Sequence, residues 1–270
     1  MMPDARKGQQ ARLRKPLYLD AAGAERVEAE GPALRVVMRE GLAQFYPLAR
    51  LSRLVVRGPV EFGARALLEV MGHGLGIVFL DSKEHLAGYL LSARPLVESS
   101  VNQRLEDLAA SGELGEILAD WRIAQIRRAI LRDVGPHLGW LRDLRARNVR
   151  KLAAARIRAR TAMDWRRQVR AFQPLLRSVA LRALREAGVA PRWLDPEPQR
   201  PDLAALIAGL LEWSLWRAGL ELRRAPDLSS WRGKVAFFER QEIIGKRARE
   251  LADALVRHVH SIPVVRPQRT

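Results

Sequence analysis

The sequence contains no cysteine, which excludes a thiolate metal site, a catalytic thiol and a disulfide framework. It shows no apolar run of the roughly 18 residues that a membrane span needs, so no membrane partner is expected. The N-terminal stretch MMPDARKGQQARLRK is basic with no apolar segment behind it, which argues against a secretory signal and suits a cytoplasmic location. Histidine is scarce, with five in 270 residues and none between His137 and His258. His73 and His85 fall near turns and His137 follows a Gly-Pro pair. His258 and His260 are two residues apart and diverge on a helix. No metal site is expected from any of them. There is no Ser-His-acid pattern and no internal repeat.

Positive charge is what the chain has in excess. Lys and Arg number 47 against 30 acids, for a formal charge of +17, and 41 of the 47 are Arg. The excess is concentrated. From Trp121 to Arg185 there are 18 basic residues and three acids, Asp133, Asp143 and Asp164, so 18 − 3 = +15 lies in that block. Arg keeps its charge at any relevant pH and presents a planar fork to phosphate. Such a block is the footprint of a polyanion, double-stranded or branched DNA. The candidate nucleic-acid contacts are Arg127, Arg128, Arg132, Arg147, Arg150, Lys151, Arg156, Arg158, Arg160, Arg166, Arg167 and Arg170. A membrane surface fits less well, because the block lacks an aromatic and leucine face. Trp121, Trp140 and Trp165 interleave with these cations. They would either stack on bases or pack inside, and burial is the commoner fate of Trp. Trp213 and Trp216 lie in an apolar stretch that reads as core.

Along the chain the pattern changes once. Residues 16–94 read as short strands punctuated by Gly, Pro and Asp, an all-β unit. Two strands flank Gly31-Pro32, a helix covers 62–71 and a buried strand covers 76–81. Residues 97–260 read as helices. One is stopped at Gly188 with Pro174 in its first turn. LAALIAGLLEWSLWRAGLEL is a buried helix, and GKVAFFERQEIIGKRARELADALVRHVH a final helical segment. Basic tails, 1–15 and 261–270, frame the two parts. The fold class is α+β, with a small β-rich N-terminal domain and a larger all-helical C-terminal domain. Within GHGLGIVFLD, from Gly72 to Asp81, three alternating glycines suggest a phosphate loop. A dinucleotide loop needs a strand before the glycines and a helix after them. Here a helix comes first, so Gly72 and Gly74 are expected to end it.

LYLDAAGAERVEAEGPALRV, at 17–36, and PLARLSRLVVRGPVEFGARALLEVMGHGLGIVFLDSKEHLAGYLLSARP, at 47–95, resemble the N-terminal domain of the CRISPR spacer-acquisition integrases. There a Val-Gly strand end, a helix, a Gly and a hydrophobic-Phe-Leu-Asp strand follow one another. NQRLEDLAASGELGEILADWRIAQIRRAILRD resembles the first helices of that family's second domain, with Arg122 to Arg127 departing from its usual Lys and Asn-Gln-Arg. PLLRSVALRALREAGVAPRWLDPEPQRPDLAALIAGLLEW resembles its later catalytic stretch. The resemblance implies a two-fold dimer through the β domain, either a homodimer or a heterodimer with an active paralogue. It also implies a small ferredoxin-like CRISPR adaptation subunit as partner and a role in antiviral defence.

The same resemblance implies metal-dependent strand joining, with Mg or Mn held by a Glu, a His and an Asp. None of the three is found. LRARNVRKLAAARIRARTAMD holds no Glu where that ligand belongs. The Leu-His pair is Leu194-Asp195. The Asp falls on Gly209, three residues before Glu212. The expectation is a DNA-binding, catalytically inactive subunit that needs no cofactor. Two alternatives stay open. One is an active Mg- or Mn-dependent integrase with a relocated cluster at Asp195, Glu197, Asp202 and Glu212. The other is a helical nucleic-acid-binding protein outside CRISPR systems.

Overall fold

The computed structural model describes residues 14–92, 99–139, 143–194 and 200–263. The chain divides into two compact units after Arg94: a β-rich unit, then a helical one.

The first unit holds two four-stranded sheets. One carries β1 (Lys15–Asp20), β5 (Leu51–Arg57), β7 (Ile77–Leu80) and β8 (Leu86–Leu90) in the order β1-β5-β7-β8. The other carries β2 (Ala24–Glu30), β3 (Ala33–Met38), β4 (Ala43–Pro47) and β6 (Glu61–Phe62) in the order β4-β3-β2-β6. In β1, Leu17 and Leu19 are buried while their neighbours are less so, the period-two pattern of a strand with one face inward. In β5 Leu51 to Val56 are all buried, as a central strand covered on both faces requires. A single core gathers Leu17, Leu19 and Leu54 from the first sheet and Val27, Leu34 and Val36 from the second.

The unit is not all-β. Helix α1 (Ala64–Gly72) adds Ala66 and Val70 to that core. It also lies between β5 and β7, which pair in parallel. Parallel strands need a crossover, and a helix is the usual one. GHGLGIVFLD is therefore the return half of a β-α-β unit. Only one of its first two glycines has the expected conformation. Gly72 remains within α1, whereas Gly74, at φ +69°, is left-handed and its N–H reaches Met71 O at 2.9 Å. Without a Cβ, Gly occupies that region at no steric cost.

The second unit is built around one helix. Its elements are α2 (Val101–Ala110), α3 (Leu114–Ala129), a π-helical turn (Ile130–Val134), α4 (Gly135–Leu138), α5 (Ala146–Thr161), α6 (Trp165–Ala171), α7 (Gln173–Glu186), α8 (Leu203–Glu221), α9 (Trp231–Glu239) and α10 (Glu242–Ser261). A 3-10 turn covers Pro191–Trp193. α8 is buried almost all round, from Leu203 to Leu220, and packs on α3, α5, α6, α7 and α10. By length and composition it would pass for a membrane span, contrary to the expectation that no such run exists. Inside this unit its apolar surface is core.

The outer helices are amphipathic. α10 buries Ile244, Ala248, Ala252, Leu255 and Val259, a three-and-four spacing along one face. α5 buries only Val149, Ala153 and Ile157, leaving most of its circumference to charge. The final segment, read as one helical stretch, breaks at Gln241, whose φ −88° and ψ 64° are not helical. The break lets Phe237 and Phe238 turn inward onto Phe172, with ring centroids 5.7 and 6.0 Å away.

Candidate nucleic-acid interface

Of the twelve cations proposed from the sequence, eleven are exposed, and Arg150 is half-buried. They do not share one surface. Arg127 and Arg128 close α3, and Arg132 is bound to the buried Asp133 at 2.9 and 2.8 Å. On α5, Arg156 is nine residues beyond Arg147. At about 100° per residue that places it half a turn round the helix. Arg160 is used internally, its Nη1–H donating to Leu220 O at 2.6 Å at the C-terminal end of α8, where a cation is favoured. Arg158 lies 3.9 Å from Asp164, and Arg167 is exposed on α6.

Five of the twelve do converge. Arg147, Arg150 and Lys151 of α5 face Arg166 and Arg170 of α6 across a cavity of about 400 Å³. Helix α8 supplies Glu212 and Trp216 to its wall, and Val169 completes it. The local sequence explains the placement. Val149, Ala153 and Ile157 anchor α5, so its cations flank that narrow stripe. Trp165 and Val169 anchor α6, leaving Arg166 and Arg170 outward.

Among the described residues Glu212 is the one carboxylate lining the cavity. Its Oε2 accepts from Arg150 Nη2 at 3.1 Å, and its Oε1 accepts from Gln173 Nε2. The Arg150 guanidinium also lies over the Trp213 ring, 5.0 Å from its centre, a favourable cation–π arrangement. Burial pushes the Glu212 carboxyl above its ordinary value, opposed by the pull of Arg150, Arg122 and Arg170. Two donors near the wall, Arg150 Nε and Trp216 Nε1, are buried with no acceptor among the described residues. Arg122 and Gln173 were not picked out from the sequence. Arg122 lies inside the basic block and was legible by charge. Gln173 carried no signal, because its role depends on α7 packing beside α8.

Of the four acids proposed as a relocated metal cluster, the described residues include two, Asp202 and Glu212, and these lie apart. Asp195 and Glu197 lie outside the described residues. Asp202 caps α8, accepting from Ala205 N at 2.8 Å, and is paired with Arg177. Glu212 is ten residues further along the same helix, about 15 Å at 1.5 Å per residue. Among the described residues no group of three or more His, Asp or Glu is placed to hold a metal ion. Among the described residues the cavity offers one carboxylate among five cations, whereas Mg or Mn takes several oxygen ligands. The donor set does not fit a divalent ion.

Among the described residues the tryptophans singled out from the sequence are buried. Trp121 is 5% and Trp165 0% exposed, with Trp165 Nε1–H donating to Leu215 O at 3.2 Å. Trp213 and Trp216 are buried too. Trp140 lies outside the described residues.

No family model matches the sequence, and no curated protein does. Solved structures match over nearly the whole chain. A Cas1 protein from Thermotoga maritima is 14% identical with a TM-score of 0.74, covering 94% of this chain and 100% of its own. TtCas1 in complex with DNA is 17% identical with a TM-score of 0.62, covering 94% and 95%. A casposase bound to integration product is 14% identical with a TM-score of 0.59, covering 95% and 94%. At such identities what is common is the architecture, a β-rich unit followed by a helical one, and this chain has the fold of the Cas1 proteins.

Proposed function

We propose that this chain is a divergent member of the Cas1 family, the spacer-acquisition integrases, and serves a CRISPR adaptation complex by binding DNA rather than by joining it. The observation that carries the reading is the convergence of Arg147, Arg150, Lys151, Arg166 and Arg170 on one cavity. Among the described residues, four of these five have no carboxylate within salt-bridge distance, and only Arg150 is paired. Free, clustered guanidinium groups on a fixed scaffold are what phosphate oxygens require. Structures of the same fold contain DNA or an integration product, and one is a Cas6-RT-Cas1–Cas2 complex, which supports DNA and a Cas2-type subunit as partners. A dimer, with itself or with an active paralogue, belongs to the same reading.

The missing chemistry follows from the donor set. Phosphoryl transfer depends on cations positioned at the reacting phosphate. Guanidinium groups bind and neutralise phosphate, but they do not ionise an attacking hydroxyl as a metal does. In this cavity the residues bind and orient a strand and leave its bonds intact. The test is a strand-joining assay with a labelled 3′-OH duplex, a supercoiled target and Mg or Mn. Bound but unjoined DNA is expected. Joining that disappears in Glu212→Ala or Asp202→Ala would establish the active-integrase alternative instead.

A further inference from the structure

The cavity between α5, α6 and α8 differs from a flat basic track along which a strand passes. Its walls come from three helices, and five cations surround a single carboxylate. An internal phosphodiester carries one charge and enters with chain on both sides. A terminal phosphate monoester carries about −1.5 to −2 at pH 7 and three strong acceptor oxygens, and it arrives with chain on one side only. A concave site with this density of guanidinium forks matches the second ligand in charge and shape. The one anion now in place engages the most deeply set of the five cations: Glu212 Oε2 holds Arg150 Nη2 at 3.1 Å, while Gln173 holds Oε1. Arg147, Lys151, Arg166 and Arg170 are left exposed around it.

We propose that this cavity binds the terminal phosphate monoester of a nucleic-acid strand without a metal, and that Glu212 is the resident anion with which that phosphate competes for Arg150. The proposal rests on the nucleic-acid-binding reading above and narrows it to strand ends. A free mononucleotide has the same terminal chemistry, so the test separates the two sources.

Short, internally labelled duplexes differing only in 5′-phosphate, 3′-phosphate or hydroxyl ends are titrated by fluorescence anisotropy in EDTA. One phosphorylated end is expected to bind about tenfold tighter than hydroxyl ends, the gain of about 1.5 to 2 extra negative charges among clustered arginines. The variant Arg166→Gln/Arg170→Gln, at exposed positions that leave the helix anchors intact, should bring that ratio close to one. Glu212→Gln keeps a hydrogen-bonding side chain beside Arg150 and Gln173 but removes the charge, and should raise the preference several-fold. Equal affinity of the wild-type protein for phosphorylated and hydroxyl ends overturns the proposal. An unchanged or smaller preference in Glu212→Gln overturns the competing role of that carboxylate. Displacement of the phosphorylated duplex by adenosine monophosphate at concentrations comparable with the duplex overturns the strand end as ligand in favour of a free nucleotide. Hydroxyl-ended DNA that binds with no end preference defeats this inference alone, whereas failure of every duplex to bind defeats the DNA-binding reading beneath it.

Discussion

Arginine does different work between the strands of the β unit and in the cavity of the helical unit. In the β unit the arginines that join neighbouring strands, Arg35 and Arg57, are matched by acids. Arg35 faces Glu28 across the β2–β3 register and binds it at 2.6 Å. Arg57 joins Asp20 on the neighbouring strand at 2.6 Å and Glu84 at 3.7 Å. These pairs pin strand to strand. In the cavity of the helical unit five cations share Glu212. Net charge alone does not separate these uses. What separates them is whether an acid was folded in alongside each guanidinium, and only the second arrangement leaves charge over for a ligand. Electrostatic self-repulsion there has to be offset by packing beneath it, which the Trp165, Phe172 and Phe237 cluster provides.

That packing is where the largest effect is expected. Trp165 is fully buried, and Gly219 gives it room: a Cβ added there would come within 2.5 Å of the Trp165 ring. Trp165→Ala should cost about 3–5 kcal/mol, read by urea unfolding, with the helical signal lost before the β unit if the two unfold separately. Breaking a matched arginine should cost less and affect a different property. Arg57→Gln should lower stability by about 1–2 kcal/mol, since its partners are partly solvated, and leave DNA affinity within about twofold of wild type because no ligand contact is removed. A large loss of DNA affinity in Arg57→Gln would break the distinction between matched arginines and those of the cavity.

The smallest effect is a change of slope. Glu212 holds its proton more tightly when folded than its ordinary value of 4.5 allows, because of burial. Just above that value the folded state therefore binds more protons than the unfolded state, and stability falls as pH rises through the raised value. Below the ordinary value both states are protonated, so the slope from this group vanishes and its contribution to stability is fully present. Glu212→Gln should remove this part of the pH dependence, measured as denaturation midpoints across the acid range.

Much of this is legible in the sequence. The helix and strand around GHGLGIVFLD stand within a residue or two of their expected positions, because apolar spacing and left-handed glycines act locally. The β-α-β crossover was not legible, since parallel pairing of β5 with β7 is decided by residues far apart in sequence. The break at Gln241 was hidden for a related reason: helical periodicity continues through it, and only the pull of Phe237 and Phe238 toward Phe172 ends α9 there. Charge counting found the basic block and all five cavity cations, but periodicity could not say which of the twelve would meet. Arg156 and Arg160 were indistinguishable from Arg147 and Arg150 until helices α6 and α8 fixed one face of α5. Glu212 was read as a possible metal ligand from its position in the sequence. Its partners, Arg150 and Gln173, lie 62 and 39 residues away, which no local pattern reveals.

The central claim is that the unmatched cations of one cavity, acting without metal, hold the DNA. Its most direct measurement is the salt dependence of duplex binding in EDTA for the wild-type chain and for a variant with Arg147, Arg150, Lys151, Arg166 and Arg170 all changed to Gln. Each phosphate contact contributes about 0.9 to the slope of log affinity against log salt. The account predicts that the variant binds far more weakly at low salt and that its slope is shallower by about 4 to 5. Coincident slopes and affinities for the two proteins would contradict it, and would place the DNA on another face of the molecule.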